Sequence, residues 1–326
     1  MQKKTAAAIA LGALAGVGVG AAAVSCGASK AMTDLAMDRK IPGYSKYFNV
    51  AGKKADGSFS AKRKEAQEAL ESYPRQDVSI RSSDGLTLKG HLLKSRYPRR
   101  LIIAFHGWRS SWARDFGAVA ACWLENHCNV LLVEQRAHGD SQGDYLGFGL
   151  LERSDCLRWA QWADGQNFGL PIYLAGVSMG STTVLMAAGM EMPESVRGII
   201  ADCGFTSPYD IAKSVLRRDF PRAPVRLLLP LCGVCTRIFA GFGLHDASTL
   251  DAVRESRYPI LFIHGTGDKF VPCEMTKQAY TVCASPKELV LVPGAEHGKS
   301  YLVEPERVRA ALKRFLDTYT NKEEAL

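Results

Sequence analysis

The chain has 326 residues, of which 47% are hydrophobic and 23% are charged, and it carries a formal net charge of +8. These fractions are typical of soluble globular domains, so they exclude a disordered chain, a collagen and a polytopic membrane protein. The nine cysteines are an odd number, which excludes a fully paired set of disulfides within one chain.

The excess positive charge lies in the N-terminal part of the chain. Residues 1–64 contain 11 Lys and Arg and 3 Asp and Glu, whereas residues 65–326 contain 30 of each kind. The larger part of the chain is therefore neutral, and we expect no nucleic-acid partner. Basic residues close to a membrane segment can instead meet anionic lipid headgroups.

An uncharged segment lies close to the N-terminus. Residues 5–24 comprise nine Ala, six Ile, Leu or Val, four Gly and one Thr, and Lys3 and Lys4 precede them. Twenty helical residues span about 30 Å, the thickness of the hydrocarbon core of a bilayer. We therefore expect residues 1–26 to be an N-terminal membrane anchor. A secretory signal peptide stays an alternative, as does a lipoprotein signal, because Ala23–Cys26 resembles a bacterial lipobox.

The character of the chain changes near residue 73. Residues 27–72 combine mixed charge with Gly and Pro, which predicts a basic spacer with one short amphipathic helix near residues 61–72. From 73 to 320, short β-branched runs alternate with longer amphipathic stretches, a pattern that predicts βαβ units and a parallel sheet. Residues 321–326 are expected to form a tail.

The predicted strands and helices alternate along this region. The strands are expected at residues 77–81, 86–93, 100–105, 129–134, 171–176, 197–202, 259–263 and 287–292. The helices are expected near 111–127, 147–164, 179–190, 207–218, 273–283 and 304–320. A turn at 83–85 contains Asp-Gly, so the first two strands are expected to form an antiparallel hairpin.

One interval is too long for a single crossover between strands. Residues 203–258 carry four prolines, at 208, 221, 224 and 230, and they predict a small lid of extra helices over the edge where the parallel strands end. Six residues make this predicted lid apolar: Leu227, Leu228, Leu229, Leu231, Ile238 and Phe239. An apolar lid favours an acyl or lipid-like substrate.

The strongest chemical motif is Gly176–Gly180, which has the form G-x-S-x-G with Ser178 at its centre. It lies between a short apolar strand and the start of a helix. A serine on a tight strand-to-helix turn needs small neighbours, because the backbone there is strained and closely packed. The turn exposes the serine Oγ above the sheet, at the positive end of the helix dipole.

Three further segments, together with this motif, carry a resemblance to a known family. They are Phe105–Trp108, Glu134–Ser141, and Ile263–Asp268 followed by Phe270–Pro272. Together they resemble the α/β-hydrolase superfamily, and within it the bacterial membrane-associated hydrolases related to the serine aminopeptidase-like group. The resemblance covers about residues 76–320 and implies an α/β-hydrolase fold, with a mostly parallel eight-stranded sheet flanked by helices. Glu134 departs from the family pattern, which has Asp there.

A serine hydrolase needs a base to take the Oγ proton and an acid to orient the base. The family's chain order places the acid and then the histidine after Ser178. His297 follows the last strand between glycines and is the expected base, whereas His245 lies in the predicted lid. Asp268 closes a Gly-rich loop after the seventh strand and is the expected acid. Asp202, after the sixth strand, is the competing candidate.

The family likeness also implies an oxyanion hole made of backbone N–H groups. One would come from Met179, directly after the nucleophile, and one from Trp108 in the first loop. No cofactor and no metal site are expected. Cys232 and Cys235 form a single C-x-x-C without a second pair, and Cys203 lacks a base of its own.

These observations predict a serine hydrolase at the bacterial cell membrane that cleaves a carboxylic ester through an acyl-enzyme on Ser178. The same machinery could act on amides, as in a serine aminopeptidase, or on thioesters and in acyl transfer. A non-catalytic binding protein on the same scaffold is the alternative from a different class.

Overall fold

The computed structural model describes residues 26–41 and 57–320. Its centre is one eight-stranded sheet in the order β1-β2-β4-β3-β5-β6-β7-β8. The strands are β1 (Gln76–Arg81), β2 (Thr87–Leu93), β3 (Arg100–Phe105), β4 (Cys128–Glu134), β5 (Ile172–Val177), β6 (Val196–Asp202), β7 (Ile260–Gly265) and β8 (Lys287–Val292). The β1–β2 and β2–β4 pairs are antiparallel, and all other neighbours are parallel. All eight predicted strands and the predicted fold class are thereby confirmed.

The helices follow the strands along the chain. They are α1 (residues 26–37), α2 (Gly57–Glu71), α3 (Trp112–Glu125), α4 (Glu152–Gly165), α5 (Met179–Ala187), α6 (Pro208–Asp219), α7 (Val225–Phe239), α8 (Thr249–Glu255), α9 (Cys273–Val282), α10 (Ser300–Val303) and α11 (Pro305–Thr320). The insertion 203–258 thus carries three helices, as its length predicts.

The sheet is covered on both faces, which is why its central strands are apolar without alternation. Every residue of β3, β4 and β7 is buried. One face packs against α4, α5, α8 and α9, with Trp159 and Phe262 at its centre. The other face packs against α2, α3 and α11, with Phe116 and Phe315 at its centre. The site therefore rests on a rigid scaffold.

The parallel register brings the carboxyl ends of the strands level with one another. Phe105 at the end of β3 pairs with Gly176, and Val177 at the end of β5 pairs with Asp202. Asp202 in turn pairs with Ile263 of β7. The loops that leave β3, β5, β6, β7 and β8 consequently meet at one edge of the sheet, where α/β proteins place their ligand sites.

Helix α1 has no counterpart among the predicted elements. Its packed side includes Ser29 and Thr33, which are 0% and 3% exposed. In a sequence pattern, polar residues at these positions would instead indicate a face turned to solvent. Both are satisfied by hydrogen bonds: Thr33 Oγ1 donates to Ser29 O, and Ser29 Oγ donates to Leu228 O of α7. At its other end, the Leu146 N–H donates to Met37 O over 2.9 Å. The described part of the predicted spacer is thus docked on the domain.

Residues 1–25 of the anchor predicted at 1–26 and the tail predicted at 321–326 lie outside the described residues. Within residues 26–41 and 57–320, none of the helices combines the length and the apolarity that crossing a membrane requires. The short helix expected near 61–72 is α2, which starts earlier and ends at Glu71.

Candidate active site

Ser178 lies on the sharp turn between β5 and α5. Its backbone is in a strained conformation, with φ 56° and ψ −116°. The turn fits only because its flanks are glycines: a Cβ on Gly176 would lie 2.2 Å from Gly180 O, and one on Gly180 would lie 1.8 Å from Phe105 O. The Ser178 N–H donates to Asp202 O over 2.8 Å, which ties the turn to the neighbouring strand.

Ser178, His297 and Asp268 form one hydrogen-bonded chain. Ser178 Oγ lies 2.8 Å from His297 Nε2, and His297 Nδ1 lies 2.6 Å from Asp268 Oδ2. The imidazole packs against the ring of Phe270, with ring centroids 5.0 Å apart. The structure therefore brings together the three residues that the sequence analysis assigns as nucleophile, base and acid, although they are up to 119 positions apart in the chain.

The carboxylate of Asp268 is held by four hydrogen-bond donors. Its Oδ1 accepts from the backbone N–H groups of Phe270 and Val271 at 2.8 and 2.9 Å, and Oδ2 faces His297 and, at 3.2 Å, His264 Nε2. Burial alone would raise the pKa of Asp268, but the His297 charge and the histidine hydrogen bonds outweigh it and hold the pKa well below its usual value. The carboxylate is thus ionised throughout the neutral range.

His264 is a residue that the sequence reasoning left without a function. It is wholly buried at the end of β7, and its Nε2 contacts both Asp268 Oδ2 and Val271 O. Its Nδ1 lies 2.7 Å from Thr276 Oγ1 of α9. Its place in the family-like segment before Asp268 is the only sequence signal that could have identified it. His264 and His297 thus contact the same carboxylate oxygen, Asp268 Oδ2.

The competing acid, Asp202, has different partners. Its Oδ1 accepts from Ser300 Oγ at 3.2 Å, and its backbone oxygen holds the Ser178 N–H. Burial raises the pKa of Asp202 to about 6, even though His264, the Ser300 hydrogen bond and His297 oppose the rise. A group that is partly protonated near neutral pH orients a base less well than the ionised Asp268 does.

The loop after β3 is fixed next to Ser178. The Gly107 N–H donates to Asp115 Oδ2 over 2.7 Å, and the Arg109 N–H donates to His138 Nε2 over 3.0 Å. Trp108, between them, donates its indole N–H to Ala36 O of α1 over 2.7 Å. The sequence analysis did not single out Asp115, because one acidic residue in a first helical turn is ordinary.

Met179, the other expected oxyanion donor, is the first residue of α5 and is wholly buried. The first N–H groups of a helix lack intrahelical partners, so its position suits a backbone donor. Trp108 and Ser178 line the same pocket. A Cβ on Gly107 would lie 3.3 Å from Ser178 Cβ, so the first loop lies directly against Ser178.

The segment Glu134–Ser141 supports this loop rather than reacting. Arg136 forms a two-pronged ion pair with buried Asp155, and the pair holds the turn in place. His138 Nδ1–H donates to Arg136 O, which leaves Nε2 to accept from the first loop. Burial lowers the pKa of His138 well below its usual value, so it stays neutral and serves as an acceptor. Glu134 uses its longer side chain to accept from the Asp140 N–H.

An apolar pocket of about 100 Å³ opens beside Ser178. Trp108 forms its aromatic wall and stacks between Phe148 and Phe270, at centroid distances of 6.3 and 6.2 Å. Three helices supply most of the other lining residues, which include Met32, Leu35, Ala36 and Met37 of α1, Ile211, Val215 and Leu216 of α6, and Leu229, Cys232 and Thr236 of α7.

Only some of the six apolar residues of the predicted lid face the pocket. Leu229 lines the pocket, but Leu227, Ile238 and Phe239 are exposed at 52%, 67% and 43%. The reason is helical geometry: a helix of 15 residues turns only part of its surface towards any one partner. Helix α1 supplies pocket wall that the sequence analysis had assigned to the lid alone.

The cysteines form no disulfide within the described residues. All nine are free, including Cys232 and Cys235 of α7. In the described residues one group has metal-ligand spacing, formed by Cys203, Asp268 and His297 within 4.8 Å. Both ring nitrogens of His297 are already used by its two partners, and burial raises the pKa of the Cys203 thiol well above its usual value. The arrangement therefore fits proton transfer better than metal binding.

Known proteins resemble the chain over most of its length. Protein YqkD of Bacillus subtilis, itself uncharacterized, is 27% identical over 258 residues, which are 79% of this chain and 84% of that protein. The Pyrococcus furiosus esterase Pf2001 superposes with a TM-score of 0.62 at 22% identity, covering 83% of this chain and 98% of the esterase. Est1E of Butyrivibrio proteoclasticus, solved with ferulic acid bound, superposes with a TM-score of 0.57 at 21% identity, covering 74% and 98%.

At these identities the two superpositions establish the fold alone. The sequence model of the alpha/beta hydrolase family matches residues 102–311, a stretch that begins in β3 and ends in α11. It includes Ser178, Asp268 and His297. Because this match spans more than half of the sequence, the chain belongs to the alpha/beta hydrolase family.

Proposed function

We propose that this protein is a serine hydrolase that cleaves a carboxylic ester through an acyl-enzyme on Ser178. The observation that carries the proposal is the continuous hydrogen-bonded chain from Ser178 Oγ through His297 to Asp268, with contacts of 2.8 and 2.6 Å. A hydroxyl becomes a competent nucleophile at neutral pH when a positioned base takes its proton.

In the proposed first half-reaction, Ser178 Oγ attacks the ester carbonyl while its proton moves to His297 Nε2. The carbonyl oxygen becomes an oxyanion that accepts hydrogen bonds from the Met179 and Trp108 backbone N–H groups. Each such donor contributes about 3 kcal/mol to transition-state stabilisation. The C–O bond to the leaving group then breaks, the imidazolium gives its proton to the departing alkoxide, and the acyl group stays on Ser178.

In the second half-reaction, water attacks the acyl-enzyme. His297 takes one proton of that water, and the hydroxide adds to the acyl carbon. The intermediate collapses, releases the carboxylic acid and returns the proton from His297 to Ser178 Oγ. The ionised Asp268 stabilises the imidazolium in both halves and keeps the Nδ1 proton of His297 in place.

The pocket supports an acyl or lipid-like small molecule as substrate. Its lining near Ser178 consists of aromatic and aliphatic side chains, with only a few polar atoms. No Asp or Glu occurs among the described residues that line it. An aminopeptidase has to bind a protonated amine, for which a carboxylate is the usual partner, so ester cleavage is favoured over the serine aminopeptidase-like alternative.

We assign the catalytic unit to residues 73–320, with 203–258 as its lid, and residues 1–26 to a membrane anchor. Detergent-dependent fractionation of the full chain tests the anchor: recovery in a detergent-released membrane fraction is expected. Recovery of the unprocessed chain in the soluble fraction would contradict it.

Hydrolysis of p-nitrophenyl esters with acyl chains of graded length tests the activity. We expect turnover by the wild type that rises with chain length until the pocket is filled, and no turnover by Ser178→Ala at equal folded concentration. Equal activity of the two proteins would eliminate the serine mechanism. A folded wild type that binds the esters without turnover would favour the non-catalytic alternative.

A further inference from the structure

Exposed apolar side chains are concentrated on one helix. Six large hydrophobic side chains are exposed among residues 26–41 and 57–320, and four of them belong to α7. The four are Leu227, Val234, Ile238 and Phe239, with exposures of 52%, 54%, 67% and 43%. The other two are tyrosines elsewhere on the molecule, whose rings carry a polar hydroxyl.

These side chains form a continuous surface. Three of them, Leu227, Val234 and Ile238, lie on one side of the helix together with the half-buried Leu231. The four positions 227, 231, 234 and 238 are spaced by four, three and four residues, which is the spacing of one helix face. We call these four residues, with Phe239, the α7 outer face. The opposite side of α7 carries Leu228, Leu229, Cys232 and Thr236, which are buried. A helix that is apolar on both sides is normally covered on both sides.

The rim of the α7 outer face is basic. Arg226 and Arg237 of α7 are exposed beside it, and Lys30 Nζ lies 4.3 Å from the centroid of the Phe239 ring. Arg237 pairs with Asp246 and Lys30 pairs with Asp34. An exposed apolar helix face with basic residues at its rim is typical of helices that lie in the interface of an anionic bilayer.

The N-terminal end of the first described range lies at α7. Residues 5–24 end just before Cys26, at the start of α1, and the first turns of α1 lie on α7. Ser29 Oγ donates to Leu228 O, and the Cys232 thiol donates to Ser29 O over 3.7 Å. The first turns of α1 thus pack against the buried side of α7, and Lys30 of the same turns reaches round to Phe239 of the α7 outer face.

From these observations we propose that the α7 outer face rests in the headgroup region of an anionic lipid bilayer. The buried side of the same helix is a wall of the pocket beside Ser178. Membrane contact on one side of α7 consequently places the pocket within one helix diameter of the lipid, about 10 Å. For this last consequence the proposal rests on the proposed function, since it lets a lipid-like ester move from the bilayer towards Ser178.

Lipid-phase quenching tests the contact without relying on activity. The full-length Ile238→Trp variant is reconstituted in vesicles of phosphatidylcholine and phosphatidylglycerol, with and without bromine on the acyl chains. Wild type, with its five native tryptophans, gives the background. Tyr97→Trp is the matched control, because Tyr97 is 64% exposed and lies at the opposite edge of the sheet, before β3. Val234→Trp serves as the second probe if Ile238→Trp does not fold.

We expect brominated lipid to remove about half of the emission added at position 238 or 234, and none of that added at position 97. Equal quenching at the probe and control positions would overturn the proposal. The absence of quenching at both probe positions would also overturn the proposal. Sedimentation would then distinguish a dimer joined through α7 from a monomer in which the N-terminal segment covers the α7 outer face.

A second experiment concerns the route of the substrate. Combined Leu227→Glu, Val234→Glu and Ile238→Glu substitutions lie outside the pocket, so hydrolysis of a soluble short-chain ester should stay within about twofold of wild type. Hydrolysis of an ester embedded in anionic vesicles should fall at least about tenfold. Equal retention of both rates would overturn the proposed route. If the probe and control positions are quenched equally, the proposed membrane contact fails. If the wild type does not hydrolyse the soluble short-chain ester, the proposed function fails.

Discussion

The substitution Asp268→Asn gives the sharpest prediction about the site, because the acid's hydrogen bonds determine how an amide would fit. Oδ1 accepts from two backbone N–H groups at 2.8 and 2.9 Å, so the amide oxygen has to take that position. The amide NH₂ then replaces Oδ2 and faces His297 Nδ1, at 2.6 Å in the wild type. Since the NH₂ can only donate, Nδ1 has to accept.

This reversal moves the imidazole proton to Nε2, the nitrogen that faces Ser178 Oγ at 2.8 Å. A protonated Nε2 cannot take the serine proton. We expect kcat to fall by about four orders of magnitude, equivalent to about 5 kcal/mol of transition-state stabilisation. The backbone donors to the amide oxygen remain satisfied, and His264 Nε2 keeps Val271 O as an acceptor at 3.1 Å, so the protein should stay folded.

The assay is hydrolysis of p-nitrophenyl butyrate, with thermal unfolding as the check on folding. Asp202→Asn is the matched control, because it makes the same change in a neighbouring carboxyl group. The Asp202 carboxyl accepts a hydrogen bond from Ser300 Oγ, whereas Asp268 is the residue that pairs with His297 Nδ1. Its kcat should stay within about threefold of wild type. The reasoning would be refuted if Asp268→Asn kept more than about a tenth of the wild-type kcat, or if Asp202→Asn lost as much as Asp268→Asn.

Three further changes test the scaffold around the site. Trp108→Phe removes the indole hydrogen bond to Ala36 O, worth about 1 kcal/mol, so kcat should fall about fivefold; an unchanged kcat would contradict the positioning of the first loop by α1. Gly180→Ala places a Cβ 1.8 Å from a backbone oxygen, so this variant should show no cooperative unfolding transition in a urea titration. In the control variant Gly233→Ala the added Cβ meets nothing within 4 Å, and the same titration should show a free energy of unfolding about 1 kcal/mol higher than that of the wild type. Burial raises the pKa of Asp202 from 3.8 to about 6, so the free energy of unfolding of the wild type falls as pH rises between these two values. The free energy of unfolding of Asp202→Asn should therefore exceed that of the wild type by up to about 3 kcal/mol at pH ~8 and should equal it at pH ~3. An equal increase at both pH values would refute this linkage.

The sheet and the strand-to-helix turn could be predicted because their causes are local. Central strands are continuous apolar runs, since a parallel sheet is covered on both faces. The turn at Ser178 requires glycines at fixed offsets, since any Cβ there would collide with backbone. Asp268 and His297 depended on the family's chain order as well, because nothing in the local sequence joins residues 29 positions apart.

The features that were missed depend on contacts between distant segments. Helix α1 packs through Ser29 and Thr33, whose hydrogen bonds replace the apolar period that sequence patterns detect. The function of His264 follows from its contact with Asp268 inside the core, where many histidines are merely structural. The orientation of α7 could not be read from its composition, because both of its sides are apolar and only packing distinguishes the side that faces the pocket.

Covalent labelling with a fluorophosphonate, followed by mass spectrometry of the digested protein, tests directly whether Ser178 is the nucleophile. The serine mechanism predicts a single adduct on the peptide that contains Ser178. It also predicts no adduct on Ser178→Ala and much slower labelling of Asp268→Asn. A folded wild-type protein that forms no adduct, or an adduct that persists in Ser178→Ala, would contradict the claim that Ser178 is the nucleophile.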